Sequence, residues 1–186
     1  EDGTVTISRS LMRTTYPARF MLIAAMNPCV CGFYGDRRRA CRCSPQQIRQ
    51  YQGRISGPLL DRIDIHIDVP AVRYRELATR QTAEPSAAIK ARIEAARRRQ
   101  QERLPDQPLF TNARLTDPQL KAFCALDTES QRLLEMAVDR LGLSARAYTR
   151  ILKVARTIAD LEGEADIGPP HVAEAIQYRT LDRALI

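Results

Sequence analysis

Four of the five cysteines in this 186-residue chain form two Cys-x-Cys pairs separated by nine residues. They are Cys29, Cys31, Cys41 and Cys43. Two close pairs joined by a short loop can supply four thiolates to one tetrahedral Zn²⁺ ion, which would determine how the whole segment folds. Two alternatives remain open. A disulfide within a Cys-x-Cys pair would close a very small, strained ring, and the four thiols could also be reduced and unrelated.

The residues around the two pairs suit a metal-binding knuckle. Gly32 and Gly35 permit the tight backbone turns that such a loop needs. Four arginines of the loop would lower the thiol pKa values and offset the 2− charge of a Zn(Cys)₄ centre. They are Arg37, Arg38, Arg39 and Arg42. We therefore predict a structural zinc site here, whereas the fifth cysteine, Cys124, is predicted to be a packed core residue.

The first part of the chain carries strand patterns around the cysteine loop. Alternation and β-branching predict a short strand over residues 3–8. The continuous apolar run at residues 20–26 predicts a strand buried on both faces of a parallel sheet. A second alternating segment predicts another strand over residues 63–69. Between these two strands, Ser-Pro predicts the start of a helix that extends over residues 45–51.

After a connector over residues 71–84, the patterns predict helices only. Composition and periodicity predict five helical segments, of which one is capped by Ser144 and two are closed by Gly142 and Gly163. They cover residues 86–103, 117–125, 127–141, 144–163 and the segment from Pro169 onward. We therefore predict two domains, residues 1–82 and residues 83–186.

The positive charge of the chain is carried almost entirely by arginine. Only three of the 29 basic residues are lysines, and the net charge is +7. Arginine forms bidentate contacts with phosphate and carboxylate, which favours an anionic partner, although an arginine-biased genome would give the same composition. The longest apolar run has seven residues, too few to span a membrane. No N-terminal secretion signal is evident, so we expect a cytoplasmic protein with no membrane partner.

Three polar residues are candidates for ligand binding. Asn27 ends the apolar run, at an edge where parallel sheets bind ligands, although Asn-Pro also commonly ends a strand. Arg62 directly precedes the second predicted strand and could reach a neighbouring subunit, or pair with Asp61 or Asp64. Arg146 lies in the first turn of a helix, where a cation is unfavourable unless an anion is nearby. The alternative for Arg146 is a solvated basic helix face.

Taken together and in order, these residues resemble the second half of an AAA+ ATPase. The resemblance is to the magnesium-chelatase-like branch and, within it, to the competence protein ComM family. Val30 stands where that family usually has proline between the first two cysteines. The stretches that carry the resemblance span the chain: Glu1–Arg9, Ala24–Cys29, Ser56–Asp64, Leu143–Ala147, Ala155–Leu161 and Glu174–Arg179.

The resemblance implies a role for each candidate residue. Asn27 matches the sensor-1 position, which polarises the attacking water and senses the γ-phosphate. Arg62 matches the arginine finger, which reaches across a ring interface to ATP held by the next subunit. Arg146 matches sensor 2 on the helical lid, which contacts the phosphates of its own subunit's nucleotide. The strand at residues 3–8 matches part of the hairpin that related ring helicases direct at DNA.

The resemblance also implies the fold and the activity. Residues 1–82 would be the C-terminal part of an AAA+ α/β core, with parallel-sheet strands and a zinc-knuckle-like insertion, and residues 83–186 an all-α lid. The sequence has no Gly-x-x-x-x-Gly-Lys-Ser/Thr loop for phosphates and no Asp-Glu pair after a strand for Mg²⁺. We expect both upstream of Glu1, so the chain alone would not hydrolyse ATP.

The intact protein would be a homo-oligomeric ring, most simply a hexamer, that binds ATP and Mg²⁺ and remodels DNA. In the ComM family this work is branch migration during the uptake of transforming DNA. Two alternatives remain. One is a magnesium-chelatase subunit that inserts metal into a porphyrin, and the other is a non-enzymatic, zinc-dependent DNA-binding module.

Overall fold

The computed structural model describes residues 3–9, 12–36, 38–70, 84–107 and 110–179. These residues form one two-stranded sheet and seven α-helices, so the described part of the chain is mostly helical. Among these helices, none combines the length and the apolar character needed to cross a membrane. Arg37 and most of the predicted connector lie outside the described residues.

The chain begins with an exposed antiparallel hairpin. Strand β1 (Thr4–Arg9) pairs with β2 (Met12–Pro17), with Thr4 opposite Pro17. The hydroxyl groups of Thr6 and Thr15 lie 2.9 Å apart across the two strands. The strand predicted over residues 3–8 is therefore confirmed, and β2 is an element that the sequence analysis missed.

The two predicted parallel strands are wrong. Residues 20–26 and 63–69 have irregular backbone, and the only sheet of the described residues is the hairpin. The apolar run is also exposed rather than buried, since 77% of Phe20, 83% of Met21 and 81% of Ile23 is accessible to solvent. An apolar run forms a strand only when neighbouring strands satisfy its N–H and C=O groups. No described residue offers either segment such a ladder.

Two short helices follow the cysteine loop. Helix α1 (Pro45–Gln52) begins with a capping box, in which the Ser44 hydroxyl accepts from the backbone N–H of Gln47 and the Gln47 side chain accepts from the N–H of Ser44. The predicted helix start at Ser44-Pro45 is confirmed. Helix α2 (Gly57–Leu60) is a single turn that ends directly before Asp61.

The second half of the chain is helical, as predicted. Its helices begin and end within about two residues of the predicted bounds, which is the usual scatter in assigning helix ends. They are α3 (Ser86–Arg103), α4 (Asp117–Phe123), α5 (Thr128–Leu141), α6 (Ala145–Glu162) and α7 (Pro169–Gln177), with a short 3-10 helix (Asn112–Arg114) after α3.

Side chains and glycines fix the ends of α5 and α6. Asp127 and Ser144 cap the two helices by accepting hydrogen bonds from the backbone N–H groups three residues onward. Gly142 and Gly163 end them with φ angles of 59° and 91°, a left-handed conformation that glycine adopts without steric cost. These local signals account for the agreement between the predicted and the observed bounds.

Helix α6 lies at the centre of the helical core. The apolar stripe of this helix is buried except for Tyr148, which is 43% exposed. The buried members of the stripe are Ile151, Leu152, Ala155, Ile158 and Ala159. They pack with residues of α4, α5 and α7, and Cys124 is buried among them, as predicted. The helical half therefore has a hydrophobic core of its own.

A buried ionic cluster joins α3, the 3-10 helix and α6. The carboxylate of Asp160 is fully buried and accepts hydrogen bonds from Arg103 at 2.5 Å, Arg156 at 3.2 Å and Asn112 at 2.7 Å. Arg156 is itself only 2% exposed. Because the carboxylate neutralises buried guanidinium groups, removing its charge leaves cations in the core without compensation.

We expect Asp160→Asn to destabilise the helical half by about 3–5 kcal/mol, the usual result of breaking a buried ion pair from one side. Urea unfolding monitored by circular dichroism measures this change. Asp139→Asn, on the exposed face of α5, is the matched control and should change stability by less than about 0.5 kcal/mol. Equal, small effects of the two substitutions would contradict the assignment of Asp160 as a structural anion.

Candidate functional site

The four cysteines of the Cys-x-Cys pairs converge in the structure. The Sγ atom of Cys29 lies 3.4 Å from that of Cys31 and 3.7 Å from that of Cys41, and the Cys31 and Cys41 sulfurs are 3.6 Å apart. With Cys43 included, all four sulfurs lie within 4.8 Å of one another. Four thiolates at about 2.3 Å from a tetrahedral zinc ion would stand roughly 3.8 Å apart, so this arrangement fits a metal ion.

Two consecutive turns bring the first pair to this point. The backbone N–H of Gly32 donates to the carbonyl of Cys29, and the N–H of Asp36 donates to the carbonyl of Phe33. Gly32 and Gly35 have φ angles of 81° and 82°, in the region that side chains disfavour. The prediction that both glycines serve tight turns of the loop is confirmed.

The cysteine thiols differ in acidity because their hydrogen bonds differ. Backbone hydrogen bonds from Arg42 and Phe33 lower the pKa of Cys31 to about 6. Cys41 accepts a backbone hydrogen bond from Cys43, but burial and the neighbouring sulfurs nevertheless raise its pKa to about 12. Repulsion between neighbouring thiolates thus keeps some of the four thiols protonated. A bound divalent cation would allow all four to deprotonate.

The alternatives to a metal site are less consistent with this geometry. All five cysteines are free, and the sulfur separations are well beyond the roughly 2.05 Å of a disulfide bond. Four thiols without a common ligand would also not be expected to lie within 4.8 Å of one another. The donor set of four sulfurs with no open position is typical of a structural zinc site rather than a catalytic one.

Asn27 lies beside the cysteine loop. It is exposed at the end of the apolar run, and its Nδ2 atom is 4.0 Å from the position that a Cβ atom on Gly32 would occupy. This distance is an ordinary van der Waals contact, so a side chain at residue 32 would be disfavoured by the positive φ of the turn and not by Asn27. The structure thus connects Asn27 with the first turn of the loop.

Arg62 is exposed and follows Asp61, the C-cap residue of the one-turn helix α2. Its Nη1 atom donates to the carbonyl oxygen of Pro58 at 2.7 Å. The alternative of a pair with Asp61 or Asp64 is wrong, because these carboxylates interact with Arg179 and Arg150 respectively. Within the described ranges, the hydrogen bond given for the Arg62 guanidinium group is to this exposed, neutral acceptor.

Arg146 is exposed in the first turn of α6. The alternative of a solvated basic face still describes Arg146 itself, whereas the next two basic residues of this face have partners. Arg150 pairs with Asp64, and the Lys153 ammonium donates to the carbonyl of Ala113 at 2.9 Å. Arg146 is thus the basic residue of this face that the structure leaves at the surface.

A set of contacts that the sequence analysis missed anchors the Arg62 segment to the helical half. Arg179, only 1% exposed, donates to the carbonyl of Ile63 and lies 3.8 Å from the Asp61 carboxylate. The backbone N–H of His66 donates to the carbonyl of Tyr178 at 2.8 Å. Together with the Asp64–Arg150 pair, these contacts hold the segment on both sides of Arg62. The acidic residues that flank Arg62 were visible in the sequence, but their partners were not.

Comparison with known proteins identifies the family. The family described as "Magnesium chelatase, subunit ChlI" matches residues 1–77, and its counterpart "Magnesium chelatase, subunit ChlI C-terminal" matches residues 83–179. The chain belongs to the magnesium chelatase ChlI family. The predicted resemblance to the magnesium-chelatase-like branch is confirmed.

Individual relatives match between 96% and 100% of the chain. "Competence protein ComM" of Haemophilus influenzae is 44% identical over 186 residues, which is 100% of this chain and 35% of that protein. "Uncharacterized protein YifB" of Escherichia coli is 43% identical over 187 residues, 100% of this chain and 36% of YifB. "Uncharacterized protein Rv2897c" of Mycobacterium tuberculosis is 33% identical over 179 residues. The chain thus spans about a third of the length of these relatives.

Proposed function

We propose that this chain is the C-terminal part of an AAA+ ATPase of the magnesium-chelatase-like branch. The intact protein is a homo-oligomeric ring, most simply a hexamer, that couples hydrolysis of Mg²⁺-bound ATP to DNA remodelling, such as branch migration during natural transformation. The observation that carries this proposal is the match to both parts of the ChlI family in chain order, with 44% identity to a competence protein along the whole chain.

In this proposal, residues 1–82 belong to the α/β core of the ATPase and residues 83–186 form its helical lid. The exposed apolar residues between Phe20 and Met26 support the first assignment, because such a surface is normally covered by another part of a protein. The self-contained core around α6 supports the second. The contacts of Arg179 and Arg150 would then join the core to the lid.

The proposed roles of Asn27 and Arg62 come from the family resemblance, and the exposure of both side chains is compatible with them. Asn27 polarises the attacking water, and its exposed amide next to the loop turn is accessible for that task. Arg62 inserts its guanidinium group next to ATP bound by the adjacent subunit. Its present acceptor, the carbonyl of Pro58, is neutral, so a phosphate would replace it with a stronger, charge-assisted hydrogen bond.

Arg146 is proposed to bind the phosphates of ATP held by its own subunit. Arg146 lies where the helix dipole disfavours a cation, and a bound anion would remove that cost. In the longer protein that contains the phosphate loop, we expect Arg146→Ala to weaken ATP binding roughly 10- to 150-fold, because a charged hydrogen bond contributes about 1.5–3 kcal/mol. Titration with a fluorescent ATP analogue measures the loss.

Arg140→Ala is the matched control for this prediction, since Arg140 is exposed on the neighbouring helix α5. Arg150 would be a poor control because its pairing with Asp64 adds a structural effect. If Arg146→Ala and Arg140→Ala change ATP affinity equally and slightly, the sensor-2 role of Arg146 is withdrawn.

The cysteine cluster is proposed to hold one structural Zn²⁺ ion. The ligands are the sulfurs of Cys29, Cys31, Cys41 and Cys43, whose separations match a tetrahedral site. The ion would neutralise the thiolates and fix the loop beside Asn27. With all four positions filled by protein, it supplies stability and not a bound water for catalysis.

An alternative is a magnesium-chelatase subunit that metallates a porphyrin, which the descriptions of the matching family favour. ATP turnover by the longer protein distinguishes the two functions. We expect turnover to be stimulated by branched DNA and unaffected by a porphyrin with its partner subunits. Stimulation by the porphyrin system alone would replace the DNA-remodelling proposal.

A further inference from the structure

We propose that the cysteine loop and helix α1 together form a surface that binds the phosphate backbone of nucleic acid. This surface, which we call the basic knuckle, comprises residues 28–36 and 38–56. The inference rests on the proposed function, because it states which part of the chain touches the DNA that the intact protein remodels.

The basic knuckle carries most of the net charge of the chain. Its 28 residues contain five arginines and one aspartate, Asp36, with no lysine or glutamate, which gives a net charge of +4. The whole chain of 186 residues has a net charge of only +7. So high a local density of positive charge attracts polyanions and increases their rate of association.

The arginines of the knuckle that the structure describes remain available for a ligand. These arginines are Arg38, Arg39, Arg42, Arg49 and Arg54. All five are exposed, and none forms an ion pair with another described residue. The carboxylate of Asp36 forms no ion pair with these arginines, and its Oδ1 atom instead accepts from the backbone N–H of Arg38 at 2.6 Å and of Arg39 at 3.3 Å. The acidic side chain is used to fold the loop.

The loop and α1 form one unit. The last cysteine of the cluster, Cys43, directly precedes Ser44, which caps α1, so the cluster fixes where the helix starts. At the other end of α1, Gln52 donates to the carbonyl of Pro28 at 3.1 Å, directly before the first cysteine. Cys29 and Ile48 are buried between these two connections. The arginines of the loop and of the helix are therefore presented from a single small scaffold.

The side chains between the arginines favour nucleic acid over a lipid surface. A membrane-binding helix needs an exposed apolar face, whereas α1 buries Ile48 and exposes Gln46, Arg49 and Gln50. Amide and guanidinium groups donate hydrogen bonds to phosphates and base edges. Tyr34 is 52% exposed on the loop and offers a ring on which a base can stack.

The salt dependence of DNA binding tests this proposal. The zinc-loaded chain and the longer protein are titrated against a fluorescein-labelled DNA duplex at several salt concentrations, with binding followed by anisotropy. The test variant combines Arg38→Gln, Arg49→Gln and Arg54→Gln. Since each lost phosphate contact lowers the slope of log K against log salt by about 0.9, we expect a slope smaller by about 2 to 3. The same three positions changed to lysine should retain the slope.

A matched control removes three other exposed arginines, through Arg97→Gln, Arg98→Gln and Arg132→Gln in the helical half. It should leave the slope within about one unit of the parent, since no knuckle contact is lost. Equal losses in the test and control variants would overturn the proposal, because binding would then follow overall charge. Unchanged binding in the test variant would overturn it while leaving DNA remodelling standing.

Two further outcomes also decide the proposal. If neither the chain nor the longer protein binds DNA, both the basic knuckle and the proposed function fail. If the test variant instead loses affinity for vesicles of phosphatidylglycerol and keeps its affinity for DNA, the surface binds lipid and the proposal is wrong.

Discussion

Removal of zinc from the cysteine cluster will disorder the basic knuckle and leave the helical half folded. A structural zinc ion contributes on the order of 10 kcal/mol to local folding, and little else supports the loop, since its buried apolar residues are Cys29 and Ile48. The core around α6 is independent of it. Amide hydrogen exchange before and after chelation should show protection lost in residues 29–52 and retained in residues 128–177.

Metal analysis measures how much zinc each chain binds. The purified chain should contain close to one equivalent of zinc, and Cys31→Ser should lose most of it. Cys124→Ser is the matched control, because Cys124 is buried in the helical core outside the cluster, and this variant should retain the metal. Absence of zinc from the parent chain, with four thiols that react freely under native conditions, would contradict the assignment.

The acidity of the cluster adds a pH dependence to the same measurement. Zinc must displace protons from thiols whose pKa values are raised, such as Cys41 at about 12, so binding releases protons. Affinity for zinc should therefore decrease as the pH is lowered. It should weaken most steeply below about pH 6, where Cys31 also becomes protonated. A zinc affinity that is independent of pH would contradict thiolate ligation.

The helical half could be predicted because its signals are local. Ser144 and Asp127 cap helices by accepting hydrogen bonds from backbone N–H groups three residues onward, and Gly142 and Gly163 end the same helices. The residues that set these helix ends are therefore close to each other in the sequence. The cysteine cluster was predictable for the same reason, since spacing alone brings the two pairs close together.

The strands were mispredicted because a strand depends on its neighbours. Residues 20–26 have the composition of a buried strand, but no described part of the chain pairs with them. The contacts that hold the Arg62 segment were missed for a related reason. Arg179 and Asp61 are more than a hundred residues apart, and nothing local to either residue identifies the other.

Arg62→Ala should abolish ATP turnover in the longer protein while leaving ATP binding nearly intact. An arginine finger contributes about 10³- to 10⁵-fold to turnover because it stabilises transition-state charge on the neighbouring subunit's nucleotide. In the part of the chain that the structure describes, the substitution removes one exposed hydrogen bond, to Pro58, so the thermal unfolding temperature should not change. Arg62→Lys keeps the charge but loses the planar fork, so we expect it to recover only part of the activity.

The central claim is that Arg62 acts on ATP bound by the neighbouring subunit. Mixing two inactive proteins tests this claim most directly. One protein carries Arg62→Ala, and the other carries an inactivating change in the phosphate loop. At a mixed interface, the first protein's ATP site faces the second protein's intact Arg62, so one site is complete. We predict that ATP turnover reappears and is greatest at intermediate ratios, whereas no turnover at any ratio would contradict the proposal that Arg62 acts on the neighbouring subunit.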